Sequence, residues 1–538
     1  MGVAARSRPE PVILLAAGLA AVLSGLYLVW QPQPLDLAAQ VFRADLWERY
    51  GWVLYNESWY GGHSVPGYSL LYPPLGAWLG PELLGSICAV VAAIVFAAIA
   101  VRAYGRRAWL GALWFGLAAT VALFGGRTTF GLGLALGLLA VLALQRRRPA
   151  PAALAALAAA LASPVAGLFT GLAAAAVLIA SRLQPVATDA RRRRDRTALA
   201  VLLAAALTTA ALALAFPTSG YQPFTVDTFV WIPLACAVFL AVLPVGETTL
   251  RVGIALYAIV AIAAFVIATP LGSNTIRLGA TFAGPVMALA LYGRRPVVLL
   301  LLAAPLLWWQ WSATVRDVAA AAGDPATEAS YFEPLVAELE GLAGGRPIRV
   351  EIPPTRSRWE SAYVAEHVPI ARGWLRQMES DDLHRFTDDR LTAPAYARWL
   401  RTHGIDYVAL PDAELDFLAE DEAELLAAGP HPFLRPVWSN EHWRLWRVDA
   451  GDRQSIRPNW VGPDGYELSV PGPGRYLVRM RWSPYLRIVS GEGCLEPKGK
   501  ESTVVTVPTD AGAGLIEVRA SLTLDGLLRR EPACRDPV

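Results

Sequence analysis

The segment from Leu35 to Tyr50 contains the residues whose types and spacing could do chemistry. If LDLAAQVFRADLWERY forms a helix of about 100° per residue, four side chains share one stripe. These are Asp36, Gln40, Arg43 and Trp47. Asp45 lies on the opposite side, where Arg49 at i+4 can pair with it. A carboxylate can accept a proton from a hydroxyl group, so Asp36 and Asp45 are the catalytic candidates, and Asp36 is the stronger.

Aromatic residues interleaved with glycine and proline follow this segment. The chain continues with WYGGH from Trp59 and YPPL from Tyr72. Glycine and proline fix an irregular backbone, and aromatic faces beside polar groups suit sugar rings. An aromatic belt at the membrane interface is the alternative interpretation. The substrate-binding candidates in this part of the chain are Arg43, Trp59, Tyr60, His63 and Tyr72.

The rest of the chain must position these residues, and its composition is that of a membrane protein. Of 538 residues, 55% are hydrophobic and 17% are charged, which is too apolar for a soluble domain. Apolar runs recur between Val12 and Trp311, although several are shorter than the roughly 20 residues of a perpendicular span. We predict an α-helical polytopic domain at 1–313 with about eleven transmembrane helices and a long first outer loop at 31–82.

The arginines predict how this domain is oriented. They cluster in alternate loops, at Arg102, Arg106 and Arg107, at Arg146 to Arg148, at Arg182, Arg191 to Arg194 and Arg196, at Arg251, and at Arg294 and Arg295. By the positive-inside rule these loops and the N-terminus are cytoplasmic. We therefore predict a multi-pass plasma-membrane protein whose first loop and C-terminal tail are extracytoplasmic. The Arg191 block is interpreted as a topology anchor, so no nucleic-acid partner is expected.

The tail changes from apolar runs to alternating helices and strands. Helical periodicity and short strands predict an extracytoplasmic α/β domain at 314–455. Short alternating strands between Gly/Pro turns predict a small β-sandwich at 456–538. Cys494 and Cys534 are the two cysteines of the tail and would lie in an oxidising compartment, so we predict a disulfide between them. No Cys/His spacing is typical of a zinc site.

An inside-to-outside first helix, an acid just after it, a helical juxtamembrane segment and the WYGGH and YPPL motifs together resemble the GT-C superfamily of polytopic membrane glycosyltransferases. The likeness is nearest to bacterial members that carry a tail domain. It implies inverting transfer of a sugar from a polyprenyl-phosphate donor to a glycan or glycolipid acceptor on the outer face. Asp36 would act as general base or bind a divalent cation, Mg or Mn, at the donor phosphate; no other cofactor is implied.

A lipid-phosphate donor also needs cationic partners at the membrane surface. Arg277, with Asn274 nearby in the outer loop PLGSNTIRLG, and Arg127 are the candidates. Snorkelling of Arg277 to the interface is an equal alternative.

Two other functions stay open. The chain could be a carrier or flippase for a lipid-linked saccharide, or a non-catalytic membrane protein that binds a glycan or a partner. The sequence contains no G-x-x-x-x-G-K-[ST] motif, which disfavours ATP-driven transport.

Overall fold

The computed structural model describes residues 11–184, 188–217, 220–379, 386, 391–449 and 455–528. Among them the chain forms two compact units. Of the described residues, the first unit takes those within Met1–Gln40, Tyr68–Leu212 and Tyr221–Ala319, and the second takes those within Val41–Gly67, Ala213–Gly220 and Ala320–Val538. Residues Val41–Gly67, which make up much of the predicted first loop, therefore belong to the same compact unit as the C-terminal tail.

The first unit is helical. Its helices are α1 (Pro11–Trp30), α2 (Leu35–Tyr50, which continues into the second unit), α3 (Tyr72–Leu79), α4 (Pro81–Tyr104), α5 (Trp109–Ala118), α6 (Val121–Phe124), α7 (Thr128–Gln145), α8 (Pro149–Ala162), α9 (Pro164–Leu183), α10 (Thr188–Ala215), α11 (Val226–Phe229), α12 (Trp231–Val242), α13 (Thr248–Val266), α14 (Ile276–Leu291) and α15 (Pro296–Ala321). Proline is in the first turn of α4, α8 and α9. It suits a helix start, because a backbone N–H at that position would have no intrahelical partner and proline has none.

Seven helices in the described part of the chain are long and apolar enough to cross a membrane. They are Pro11–Trp30, Pro81–Phe124, Thr128–Gln145, Pro164–Leu183, Asp189–Ala215, Thr248–Val266 and Pro296–Ala321. The segment Pro81–Phe124 is counted as one helix here and contains α4, α5 and α6. Two shorter apolar helices are Pro149–Ala162 and Val226–Val242. The predicted apolar helical class is thus confirmed, whereas the predicted count of about eleven spans is not.

Small residues let these helices approach closely. A Cβ added to Gly167 would lie 2.6 Å from the Cβ of Ala160, and one added to Gly133 would lie 2.6 Å from the Cβ of Ala166. Tight van der Waals contact between small residues is a main source of helix association where water is absent.

The second unit combines a mixed α/β layer with two further sheets. Its helices are α16 (Ala329–Ala343), α17 (Glu360–Tyr363), α18 (Ala393–Thr402), α19 (Glu420–Ala427) and α20 (Leu524–Leu528). Its strands are β1 (Tyr55–Asn56), β2 (His63–Ser64), β3 (Val350–Glu351), β4 (Tyr407–Pro411), β5 (Leu434–Ser439), β6 (Trp443–Val448), β7 (Ser455–Ile456), β8 (Trp460–Val461), β9 (Gly465–Val470), β10 (Gly474–Val478), β11 (Leu486–Ser490), β12 (Cys494–Lys498), β13 (Ser502–Val507) and β14 (Gly514–Ala520).

The strands form a β1-β2 hairpin and three four-stranded sheets. One sheet has the order β3-β4-β6-β5, with β3 parallel to β4 and the other pairs antiparallel. The other two have the orders β12-β13-β10-β7 and β11-β14-β9-β8. Alternate side chains from both of these sheets, including Leu468, Val505 and Val518, enter one apolar core. This is the arrangement of a β-sandwich, in which two inner faces share a core.

Candidate functional site

One arginine of the first unit joins two carboxylates from distant parts of the chain. The Nε atom of Arg127 donates to Oδ2 of Asp36 at 2.5 Å, and its Nη2 atom donates to Oδ2 of Asp317 at 3.3 Å. The three side chains keep 23%, 14% and 33% of their surface exposed, respectively. The group is therefore held by charge-assisted hydrogen bonds and is still open to solvent or a ligand.

Each member of this group lies at the end of a helix. Asp36 is in the first turn of α2, where a negative charge is favourable beside the free N–H groups. Arg127 immediately precedes α7, and Asp317 lies near the end of α15. Asp36 and Arg127 thus lie outside the candidate spans, and Asp317 lies in the last two turns of the span Pro296–Ala321.

A glycine lets the Arg127 loop approach α2. Gly126 has φ +69°, and a Cβ at this position would lie 2.4 Å from the backbone nitrogen of Leu37. Any larger residue would clash with backbone atoms and adopt a strained conformation. Gly126 thus brings Arg127 to within reach of Asp36.

Arg277 is a second cation beside this group. It is the second residue of α14, which follows a 3₁₀ turn at Gly272–Thr275. Its guanidinium carbon lies 5.6 Å from the centre of the Phe130 ring, and it interacts electrostatically with Asp36 and Arg127. Asn274 lies in the preceding turn, where its Nδ2 atom donates to the carbonyl of Pro270 at 3.3 Å.

Polar side chains continue the site along α2 and α7. Gln40 donates from Nε2 to the backbone carbonyl of Asp36 at 3.3 Å and to the hydroxyl of Tyr68 at 3.5 Å, and it accepts from Thr129. Thr128 donates to the hydroxyl of the buried Tyr72 at 2.9 Å. The predicted residues Asp36, Arg127, Arg277 and Asn274 thus share one unit with Tyr72.

The other aromatic candidates are buried in the second unit. The indole N–H of Trp59 donates to the carbonyl of Ser361 at 2.9 Å, and the hydroxyl of Tyr60 donates to the carbonyl of Gly373 at 2.8 Å. The His63 ring stacks on Trp59, with 5.0 Å between ring centres. In this conformation protein atoms cover all three rings, so they are in contact with other side chains instead of solvent.

Two charged candidates from α2 also belong to the second unit. Arg43 is 3% exposed, and its guanidinium carbon lies 5.6 Å from the ring centres of both Trp59 and Trp374. Asp45 is half-buried, and Arg49, its predicted partner, forms an ion pair with Glu366. Burial and the nearby charge of Arg43 lower the pKa of His63 to about 3, so this ring is neutral at pH 7.

Two further arginines of the second unit also bridge carboxylates, and no sequence pattern predicted either pairing. Arg358 donates to Oε1 of Glu379 at 2.8 Å and to Oδ2 of Asp416 at 3.3 Å. Arg372 donates to Glu351 and Glu422, and its guanidinium carbon lies 4.5 Å from the centre of the Phe386 ring. All of these polar groups are almost fully buried.

Asp317 is the site residue that sequence reasoning missed. Its position offered a signal, because it is an acid just beyond the last apolar run, as Asp36 is beyond the first. The predicted disulfide stays a prediction, since Cys494 lies on β12 but Cys534 is outside the described residues.

A divalent cation does not fit the donor set at Arg127. Mg²⁺ and Mn²⁺ prefer several oxygen ligands in near-octahedral geometry. Asp36 and Asp317 instead direct an oxygen each at a guanidinium group. In the described part of the chain, no group of three or more His, Cys, Asp or Glu side chains could hold a metal ion.

Comparison of the chain with protein-family models finds no match, and comparison with curated proteins finds none either. The function proposed below therefore depends on the residues and the geometry of this chain.

Proposed function

We propose that this protein is a membrane-embedded inverting glycosyltransferase that moves a sugar from a polyprenyl-phosphate donor to a glycan or glycolipid acceptor. One observation carries the proposal: Arg127 joins Asp36 and Asp317 near helix ends, with Arg277 close by. The group offers a carboxylate base and a second cation beside a membrane-spanning scaffold, which is what transfer from a lipid phosphate requires.

Asp36 is the general base in this proposal. Its described side-chain hydrogen bond uses Oδ2, so we assign Oδ1 to the acceptor hydroxyl. The hydroxyl oxygen attacks the anomeric carbon, its proton passes to Asp36, and the bond from that carbon to the phosphate oxygen breaks. Polyprenyl phosphate leaves with the electron pair of that bond. Attack opposite the leaving group inverts the anomeric carbon.

The two arginines have different roles. Arg127 orients the Asp36 carboxylate, and Asp317 holds the guanidinium group from its other side. Arg277 has no such carboxylate bridge among the described ion pairs, so its charge is available for the donor phosphate. Developing charge on the leaving phosphate is then met by a cation already in position.

The arginine-rich loops support an outward-facing site. If they are cytoplasmic, the end of α1 and the start of α2 are extracytoplasmic, where a lipid-linked donor and an envelope acceptor would meet. Reporter fusions within the Arg191 block and after Val538 would test this orientation.

The proposed activity is tested by transfer of radiolabelled sugar from a panel of polyprenyl-phosphate donors to membrane acceptors. Asp36→Asn should lower the transfer rate by about 10²–10⁴-fold, the usual contribution of a general base. Asp227→Asn is the matched control, because Asp227 is an exposed acid in the same unit. It should retain the wild-type rate.

Two outcomes would contradict the proposal. Equal transfer by wild type and a well-folded Asp36→Asn variant would remove Asp36 as the base. Movement of a lipid-linked saccharide across vesicles without formation of a glycosidic bond would favour a carrier.

A further inference from the structure

The second unit contains a cavity of about 480 Å³, and most of the charged residues that line it are arginines. Six arginines and two aspartates are among the described residues that line it. The arginines are Arg349, Arg401, Arg435, Arg447, Arg457 and Arg479. The volume is within the usual range for a small-molecule site. A cavity with this excess of positive charge attracts anions.

Only part of this charge is neutralised within the protein. Asp406 forms an ion pair with Arg457 through Oδ1 and accepts from the backbone N–H of Arg349 at 3.0 Å through Oδ2. The described ion pairs engage none of Arg401, Arg435 and Arg447. These three side chains are exposed at the cavity, so a bound anion could reach them.

Two of the exposed arginines lie directly opposite each other. Arg435 on β5 and Arg447 on β6 are partners in the antiparallel register. Like charges at such a position repel and weaken strand pairing, so the arrangement costs stability in the absence of a ligand. An oxyanion between the two guanidinium groups would turn this repulsion into two charge-assisted hydrogen bonds.

Arg349 is a buried member of the same site. It is 8% exposed, its Nη1 atom donates to the carbonyl of Arg479 at 2.8 Å, and its Nε atom has no hydrogen-bond partner. Burial lowers the pKa of Arg349 to about 10, and Glu501 and Glu57 offset part of this effect. The other nitrogens of this guanidinium group donate to the neutral carbonyls of His403 and Arg479 and to the sulfur of Met480, so its charge adds to the positive potential of the cavity.

The lining also indicates which anions fit. No aromatic ring lines the cavity among the described residues; its apolar members are aliphatic, such as Ile405, Val448 and Ile456. Recognition of bases in single-stranded nucleic acid commonly uses aromatic stacking, which this site lacks. Arginine forks instead match phosphate and carboxylate groups.

We propose that this cavity binds a compact ligand with at least two clustered oxyanion groups, either phosphates or carboxylates. The inference does not depend on the glycosyltransferase proposal, because the cavity residues belong to the second unit and Asp36 to the first.

The test is isothermal titration of the purified full-length chain in detergent with two probes, inorganic tripolyphosphate and trigalacturonate. Saturable binding of one probe is expected, and its identity distinguishes phosphate from carboxylate. The R435A/R447A double variant should bind that probe about tenfold or more weakly, since hydrogen bonds to charged groups are strong. Failure of the wild type to bind either probe would overturn the proposal.

Arg444→Ala is the matched control. Arg444 is exposed on the same strand as Arg447, but it is three residues away and therefore on the opposite face of the sheet. Its replacement should change binding less than twofold. An equal loss of binding in Arg444→Ala would assign the effect to general surface charge and overturn the site.

Thermal stability without a ligand separates a binding role from a structural role. Removing the repulsion between Arg435 and Arg447 should leave the Tm of the double variant equal to or above that of the wild type. A fall of several degrees would mean that these arginines hold the sheet together, which would contradict the proposal.

Discussion

Arginines that bridge two carboxylates occur in both units, and they differ in burial. Arg127 in the first unit is 23% exposed, whereas Arg358 and Arg372 in the second are 1% and 5% exposed. The chemical groups are the same in all three cases. Their access to solvent and to ligands is different.

This difference in exposure distinguishes a candidate functional site from ion pairs that stabilise the fold. A buried ion group must be fully satisfied by the protein, because each charge has lost its water. A partly exposed group can exchange water or protein contacts for a substrate. We therefore propose that the Arg127 group takes part in catalysis and that the Arg358 and Arg372 groups maintain the fold.

The largest expected effect is on stability, from Arg358→Met. Removal of this guanidinium group leaves Glu379 and Asp416 buried with less compensation. Loss of one partner of a buried ion pair costs about 3–5 kcal/mol, so the Tm of the chain should fall sharply. Thermal unfolding followed by tryptophan fluorescence measures this change. Arg346→Met, at an exposed position, is the control; equal Tm values for the two variants would contradict a structural role.

A second effect concerns acid stability and His63. The pKa of this buried ring is lowered from 6.5 to about 3, so the unfolded chain binds its proton first as the pH falls. The stability from this group is present above pH 6.5 and is lost progressively towards pH 3. The loss amounts to roughly 3 kcal/mol at pH 4. His63→Phe keeps a ring against Trp59 without titrating, so its Tm should fall less between pH 7 and pH 4. Parallel pH profiles of the two proteins would contradict this assignment.

A smaller effect is expected from Gly126→Ala. The positive φ costs about 1–2 kcal/mol for any residue with a Cβ, and contact with the backbone of Leu37 adds to that cost. Gly51→Ala is the matched control, since Gly51 has φ +67° and no atom within 4 Å of the added Cβ. Gly126→Ala should lower both Tm and transfer rate more than Gly51→Ala does. Equal effects would show that close approach to α2 is unimportant.

Local sequence patterns predicted a large share of the helices and some of the candidate site. An apolar run can be recognised from the sequence alone, because its hydrophobicity is the sum of the contributions of its own residues. Such runs indicate helices. The helical stripe at 35–50 predicts Asp36 and the need for a cation in an outer loop predicts Arg127, and an ion pair joins the two residues.

The surroundings of Trp59 could not be predicted in this way. Its backbone pairs with that of Ile370, and its indole contacts the carbonyl of Ser361. Both partners are several hundred residues away in the chain, and no local periodicity encodes such a contact. The WYGGH motif alone does not distinguish aromatic rings that bind a sugar from aromatic rings that pack in a protein core.

The assignment of catalysis to one arginine group and of stability to another is tested most directly by measuring transfer rate and Tm together for Asp36→Asn and Glu379→Gln. We predict that Asp36→Asn loses transfer but lowers the Tm less than Glu379→Gln does, because its carboxylate is partly exposed. Glu379→Gln should lower the Tm, because its carboxylate is buried against Arg358. A variant of Asp36 that keeps transfer, or one that loses it only through unfolding, would contradict the account.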